Sequence, residues 1–150
     1  MRVKRRTLLI GGTCIAGAIC VVGYINQVPA AVTQLTPVQA HRQALACDIL
    51  LIDIRRPDEW AKTGIPEGAE PLDMRRDDFA QALTALANGD TNRQIAVICA
   101  RGVRSRRLTA QLTGAGFNRI IDVPEGMLGS FAGPGWLAEG LPVRSYTAPS

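Results

Sequence analysis

The amino-acid sequence predicts an α/β domain in which a central, mostly parallel sheet carries helices on both faces. Two bare apolar runs of strand length, at residues 49–52 and 95–98, have the composition of strands that are buried on both sides. Segments with helical spacing of their apolar residues alternate with these runs. Because parallel strands need a long crossover connection, usually a helix, this alternation indicates a parallel sheet.

A helix and a strand are the first elements predicted after the N-terminal segment. Thr36 followed by Pro37 is typical of a helix start, with proline at the first helical position, and this helix is predicted to end near Cys47. The apolar run at 49–52 forms the strand that follows. Because Cys47 follows an apolar helix face, its thiol is predicted to be buried and unreactive.

Two more helices are predicted before the second strand. One begins at Pro57 and has Asp58 and Glu59 in its first turn, where negative charge suits the helix dipole. The other is predicted to be capped by Asp77 or Asp78 and to end at an Asn-Gly turn.

The C-terminal third is predicted to contain a helix, a strand and a second helical segment. The helix follows Cys99 and ends at the Gly-Ala-Gly sequence of residues 114–116. Ile120 and Ile121 form the centre of a short strand. Residues 125–141 are expected to be helical, with an interruption at a Gly-Pro-Gly sequence.

The N-terminal segment, residues 1–30, is predicted to be a signal peptide or a membrane anchor, and residues 31–150 the domain, with its core at about 36–143. A basic start is followed by an apolar run at residues 8–25, which is long for a cleaved signal and short for an anchor. Cleavage after Ala30 is favoured, and anchoring through the apolar run remains open. The positive-inside rule places the domain outside the cytoplasm, in the periplasm, either soluble or anchored. Two adjacent arginines leave the general and the twin-arginine export routes open.

The positions of the charged residues and cysteines limit the classes of function that the chain can have. The net charge is +4, but four of the 17 basic residues lie in the first six positions, which leaves 13 basic and 13 acidic residues in the remainder. The basic charge therefore belongs to the N-terminal segment and gives no indication of nucleic-acid binding. Outside that segment only Cys47 and Cys99 remain, at a spacing that has no metal signature, so no metal site is expected. Nothing in the sequence indicates an oligomeric state.

The strongest candidate for chemistry is Cys99, directly after the second apolar run. Ligands of open α/β sheets bind beyond the carboxyl ends of the strands, which is where this cysteine falls. Gly102 permits the following loop to curl so that backbone N–H groups converge on one point, and the next helix adds the positive end of its dipole. Arg101 and Arg104 add full positive charges. These features favour the thiolate, which is the nucleophilic form, and attract an anionic substrate.

Three segments, in order, resemble the signatures of the single-domain rhodanese (thiosulfate sulfurtransferase-like) family. The loop at residues 99–105 resembles the active-site loop of these proteins, residues 51–69 resemble their N-terminal signature, and residues 116–143 resemble their C-terminal one. The N-terminal match lacks the histidine that usually precedes Ile-Pro in the family.

The resemblance implies a rhodanese-like fold and a sulfurtransferase that needs no cofactor. The sulfane sulfur of a donor such as thiosulfate would pass through a persulfide on Cys99 to a thiol or cyanide acceptor. The implied substrate-binding residues are those of the loop after the cysteine, namely Ala100, Arg101, Gly102, Val103 and Arg104. Asp53 and Arg55 occupy family positions and are interpreted as structural support, pairing with each other at the end of the first strand.

Two alternative functions draw on the same residues. Cysteine phosphatases and arsenate reductases place an arginine after five intervening residues, and here Ser105 stands at that position while Arg104 comes one residue too early. The second alternative is a rhodanese module that carries sulfur without turnover or docks on a protein partner. The sequence leaves this alternative open and does not identify the physiological donor or acceptor.

Overall fold

The computed structural model describes residues 33–148 and confirms the predicted α/β fold. The predicted leader at residues 1–30 lies outside the described residues. Within them, no helix is long and apolar enough to cross a membrane. The elements in chain order are β1 (Thr33–Gln34), α1 (Pro37–Leu45), β2 (Leu50–Asp53), α2 (Pro57–Thr63), β3 (Ile65–Pro66), β4 (Ala69–Pro71), α3 (Phe79–Leu86), β5 (Ile95–Ile98), α4 (Val103–Gly114), β6 (Ile120–Val123) and β7 (Val143–Arg144).

Five strands form one sheet in the order β1-β6-β5-β2-β4, and every neighbouring pair in it is parallel. At the carboxyl end of central β5, Ile98 pairs with Asp53 of β2 and with Val123 of β6. The residues that follow these three strands therefore meet at one edge of the sheet. A separate antiparallel pair joins β3, which follows α2, to β7 near the end of the described chain.

Helices cover both faces of the sheet, so that β5 and β6 are buried along their whole length. Helices α1 and α2 pack on one face through Ala40, Ala44 and Trp60, in a core that includes Leu51 and Ile98. The opposite face carries α3 and α4, which pack against Ile52 and Val97 through Phe79, Leu83, Leu108 and Leu112.

The predicted start of α1 is confirmed. The N–H of Gln39 donates to Thr36 Oγ1 (3.2 Å), and the N–H of Thr36 donates to Gln39 Oε1 (2.9 Å), which is a reciprocal capping box. Asp78 stands at the N-cap of α3 but makes no capping bond, because its carboxylate is paired with Arg76 at 2.7 Å.

Cys47 is exposed, so the prediction that its thiol is buried was wrong. Helix α1 ends at Leu45, and Cys47 lies beyond it with φ of +60°. The N–H of Asp48 donates to Gln43 O (3.0 Å), closing the helix with a left-handed turn of the kind usually made by glycine. The turn takes the cysteine off the apolar face of the helix.

Residues 125–141 form a series of turns with no α-helix, so the helical prediction for this segment was wrong. Gly126, Gly129 and Gly135 all have positive φ, which a right-handed helix does not allow. The turns pack backbone against backbone, since a Cβ on Gly135 would lie 2.2 Å from the nitrogen of Gly129. The close backbone packing that these glycines permit therefore determines the conformation of the segment, although its apolar residues have helical spacing.

Candidate active site

Cys99 is the residue immediately after β5, as predicted, and it is only 1% exposed. Its Sγ accepts hydrogen bonds from the backbone N–H groups of Gly102 (3.2 Å) and Ser105 (3.4 Å). The hydroxyl oxygen of Ser105 lies 3.6 Å from the same sulfur. Two N–H groups at the positive end of α4 thus face the sulfur, and both stabilise negative charge on it.

The loop needs glycine at position 102. Gly102 is the N-cap of α4 and has φ of +80°, in the left-handed region that favours glycine. A Cβ at this position would lie 2.0 Å from the carbonyl oxygen of Pro124, in the segment after β6. The close approach of these two backbones brings the N–H groups of the loop around the sulfur.

The segment after β6 also forms backbone hydrogen bonds with the loop that contains Cys99. The N–H of Met127 donates to Cys99 O and that of Leu128 donates to Ala100 O, both at 2.9 Å. A Cβ on Gly126 would lie 2.6 Å from Ala100 O. The shape of the loop is therefore fixed before any substrate binds.

Ser105 contacts the sulfur, and sequence analysis missed it. The N–H groups that reach Sγ belong to Gly102 and Ser105, and not to the other predicted substrate-binding residues, Ala100, Arg101, Val103 and Arg104. Ser105 is the third residue of α4, so its N–H is one of those that a helix start leaves without an internal partner. This rule could have added Ser105 to the candidates.

Arg104 makes a bidentate ion pair that the sequence did not indicate. Its Nη2 and Nη1 atoms donate to the two carboxylate oxygens of Glu59 at 2.6 and 2.8 Å. The Arg104 guanidinium lowers the pKa of Glu59 to about 2, so the pair is fully ionised at neutral pH. A cleft of about 340 Å³ beside the pair is lined by three arginines, one acid and one methionine, namely Arg56, Glu59, Met74, Arg75 and Arg104. Each of these arginines is paired with an acid, Arg104 with Glu59, Arg56 with Asp58 and Arg75 with Asp73.

Asp53 and Arg55 form the predicted pair, and both are buried, at 0% and 1% exposure. Arg55 Nη2 lies 2.7 Å from Asp53 Oδ2. The same guanidinium donates to Thr63 Oγ1 and to Gly64 O, each at 2.7 Å. The pair therefore joins the end of β2 to the end of α2. Because Asp53 is paired with Ile98 in the sheet, this junction lies next to Cys99.

Asp122, in β6, is a buried acid that sequence analysis also missed. It is 0% exposed, and neither carboxylate oxygen has a hydrogen-bond partner among residues 33–148. Burial raises the pKa of Asp122, and the nearby Ser105 hydroxyl and Arg106 guanidinium offset this only in part. The carboxylate therefore carries a net desolvation cost at neutral pH.

Replacing Asp122 by asparagine should raise the free energy of unfolding at pH 7 by about 1 to 2 kcal/mol, because a buried charge without a hydrogen-bond partner is removed. The pKa of this acid is raised on folding, so its cost is present above the folded pKa. The gain should shrink as the pH falls through that value toward the unfolded value of about 3.9. Denaturant unfolding at pH 7 and pH 4 measures the gain in the free energy of unfolding and its decrease at low pH. The exposed Asp77→Asn serves as a control. A less stable Asp122→Asn protein at pH 7 would contradict the assignment.

Comparison with known proteins agrees with this geometry. Residues 36–130 match the family model described as "Rhodanese-like domain". A sulfurtransferase of Allochromatium vinosum is 27% identical over 97 residues, which cover 64% of this chain and 78% of the relative. The polysulfide-sulfur transferase homodimer of Wolinella succinogenes is 27% identical with a TM-score of 0.60, covering 77% of this chain and 80% of that one. A rhodanese-like domain protein of Staphylococcus aureus is 26% identical with a TM-score of 0.54, covering 75% and 99%.

Proposed function

The chain belongs to the rhodanese-like family of sulfurtransferases, and we propose that it transfers sulfane sulfur through a persulfide on Cys99. One observation carries this proposal: Cys99 Sγ lies at the carboxyl edge of the sheet with the N–H groups of Gly102 and Ser105 donating to it. A sulfur in this position is an activated nucleophile, and its donors favour an anionic sulfur both before and after transfer.

The reaction has two displacement steps. In the first, the Cys99 thiolate attacks the outer sulfur of thiosulfate, the S–S bond of the donor breaks, and sulfite leaves with the bonding electron pair. In the second, a thiolate or cyanide attacks the outer sulfur of the persulfide, and the Cys99 thiolate leaves with its own electron pair. A thiol acceptor loses its proton to solvent. The two steps balance without an external oxidant or reductant, so we propose that no cofactor takes part.

The arginines around the loop support an anionic donor. Arg101 is exposed and donates to Gly129 O at 3.4 Å. Arg104 is held beside the loop by Glu59, whose carboxylate offsets part of its charge. We propose that these side chains attract the donor while backbone N–H groups between Ala100 and Arg104 hold the transferred sulfur. A similar protein, from Wolinella succinogenes, is named for polysulfide, so polysulfide is a second donor to test beside thiosulfate.

The proposal is tested by incubating the purified protein with thiosulfate or with polysulfide and measuring its intact mass. The expected product gains about 32 Da, the mass of one sulfur atom, and loses it when cyanide is added. Comparison of the rates with the two donors identifies the preferred one. Absence of this adduct with both donors would rule out the persulfide mechanism.

A second candidate function is a sulfur carrier or docking module that acts on one protein partner. It is favoured by the fully exposed side chain of Phe131, which lies beside the loop. This candidate shares the Cys99 persulfide with the first and differs from it in the acceptor.

We also propose that the domain works outside the cytoplasm, soluble or anchored through residues 8–25. The support is the basic start of the chain followed by an apolar run. A reporter that is active only in the periplasm, fused after Ser150, should be active. Activity only of a cytoplasmic reporter would contradict this location.

A further inference from the structure

An exposed apolar surface borders the loop that holds the Cys99 sulfur. The side chains of Val103, Leu128 and Phe131 are 71%, 43% and 113% exposed. They border a groove of about 590 Å³, which is lined by Arg101, Val103, Leu128, Gly129, Ser130, Phe131, Gly133 and Pro134. We call this surface the Phe131 groove. Contiguous exposed apolar side chains beside a reactive atom indicate a binding surface.

The turn that presents Phe131 is held firmly by its own hydrogen bonds. Ser130 pairs with Gly133 across the turn, and the N–H of Ser130 donates to Gly133 O at 2.9 Å. The hydroxyl of Ser130 donates to Pro124 O at 2.8 Å, which ties the turn to the segment after β6. Since this same segment packs against Gly102, the backbone of the turn is fixed relative to the active-site loop. The turn therefore presents Phe131 to solvent beside that loop.

The charge around the Phe131 groove is positive. Arg101 lines the groove. Arg106 lines an adjoining cavity of about 290 Å³, which Phe131 also lines. Neither arginine forms an ion pair with another residue in the described range, 33–148. Asp122 is the one acid among the lining residues, and it is buried. An occupant that complements this surface has apolar side chains at its centre and acidic ones at its rim.

The position of the groove indicates what the occupant does. Arg101 and Val103 belong both to the groove and to the loop around Cys99, so anything bound there contacts this loop. Strand β1 runs parallel to β6, and Gln34 of β1 lines the adjoining cavity that Phe131 also lines. A groove that borders the loop around Cys99 suits an occupant that brings a sulfur-accepting group to this loop.

We propose that the Phe131 groove docks a protein acceptor, by a segment in which apolar and acidic residues flank a cysteine. The inference rests on the proposed persulfide function and names its acceptor class. The thiolate of the docked cysteine attacks the outer sulfur of the Cys99 persulfide. A new S–S bond forms on the acceptor, the bond to Cys99 Sγ breaks, and the Cys99 thiolate leaves with the electron pair. The proton of the acceptor thiol passes to solvent.

The test uses the full chain, loaded with sulfur by thiosulfate or polysulfide, and three acceptors. Two are synthetic peptides of equal length with a central cysteine between leucine and phenylalanine, one with glutamate at the outer positions and the other with lysine. The third is cyanide. The glutamate peptide should discharge the persulfide roughly tenfold faster than the lysine peptide, and added salt should reduce this ratio.

Phe131→Ser should lower the rate with the glutamate peptide about fivefold or more and leave the cyanide rate unchanged. The matched control is Leu86→Ser, which removes an exposed leucine of α3 that does not line the groove. This control should change neither rate.

The outcomes separate the docking inference from the function on which it rests. A persulfide that forms and reacts with cyanide, combined with equal peptide rates or an unaffected Phe131→Ser protein, would overturn the inference alone. If no persulfide forms, the proposed function fails first. Sedimentation of a dimer that Phe131→Ser converts to monomer would assign the groove to a second copy of the chain. Binding to anionic lipid vesicles that Phe131→Ser abolishes would assign it to a membrane, and either result overturns the inference.

Discussion

Replacing Cys99 by serine should abolish both the sulfur adduct and turnover. A serine hydroxyl is a weak nucleophile unless a neighbouring base removes its proton, and no histidine is placed to do so. His41, the single histidine of the chain, is bound to Glu67 at 3.1 Å and packs edge-on against Trp136. The intact mass after incubation with thiosulfate or polysulfide should therefore stay at that of the unmodified chain.

Cys47→Ser is the matched control, because it removes the other cysteine of the described domain, an exposed one. It should keep the adduct, the cyanide discharge and most of the activity. Thiol counting on protein purified without reductant should find no bridge between Cys47 and Cys99, since a disulfide would consume the nucleophile. Sulfur transfer by the Cys99→Ser protein at the unmodified rate would end the rhodanese mechanism for this chain.

Arg55→Met should lower the free energy of unfolding by about 3 to 5 kcal/mol, because it leaves the Asp53 carboxylate as an uncompensated charge in the core. The substitution also removes hydrogen bonds to Thr63 Oγ1 and Gly64 O, which join the end of β2 to α2. For a domain with an ordinary stability of 5 to 15 kcal/mol this is a large fraction of the total, roughly a third. Urea unfolding followed by tryptophan fluorescence measures the loss.

Two further proteins make the Arg55 result specific. The double variant with Asp53→Asn should recover part of the loss, because the remaining partner is no longer charged. Arg76→Met removes an arginine whose partner, Asp78, is exposed, and should leave the unfolding midpoint close to that of the wild-type protein. An Arg55→Met protein as stable as Arg76→Met would show that the buried pair does not support this edge of the sheet.

The part of the site that lies within a few residues of Cys99 could be predicted from the sequence. The apolar run before Cys99 indicated a buried strand, Gly102 indicated a sharply curved loop, and the helix start indicated N–H groups without internal partners. All three depend on local backbone conformation, which is determined by residues that are close in the sequence. The Asp53–Arg55 pair was predictable for the same reason, because its members are two residues apart.

Contacts between distant segments could not be predicted in this way. Glu59 is 45 residues from Arg104, and their ion pair depends on α2 lying beside the start of α4 once β2 and β5 are paired. The burial of Asp122 depends on α4 packing over β6. Neither contact leaves a periodic signal in the chain.

The sequence by itself therefore determined the α/β class, the strand and helix starts around Cys99, and the cysteine loop as the reactive centre. The tertiary structure alone decided that residues 125–141 are turns, that Arg104 is held by Glu59, and that Phe131 faces solvent beside the loop. The physical reason is that local elements follow from backbone preference and apolar spacing. Ion pairs, close backbone contacts and exposed surfaces depend on which segments the order of strands in the sheet brings together.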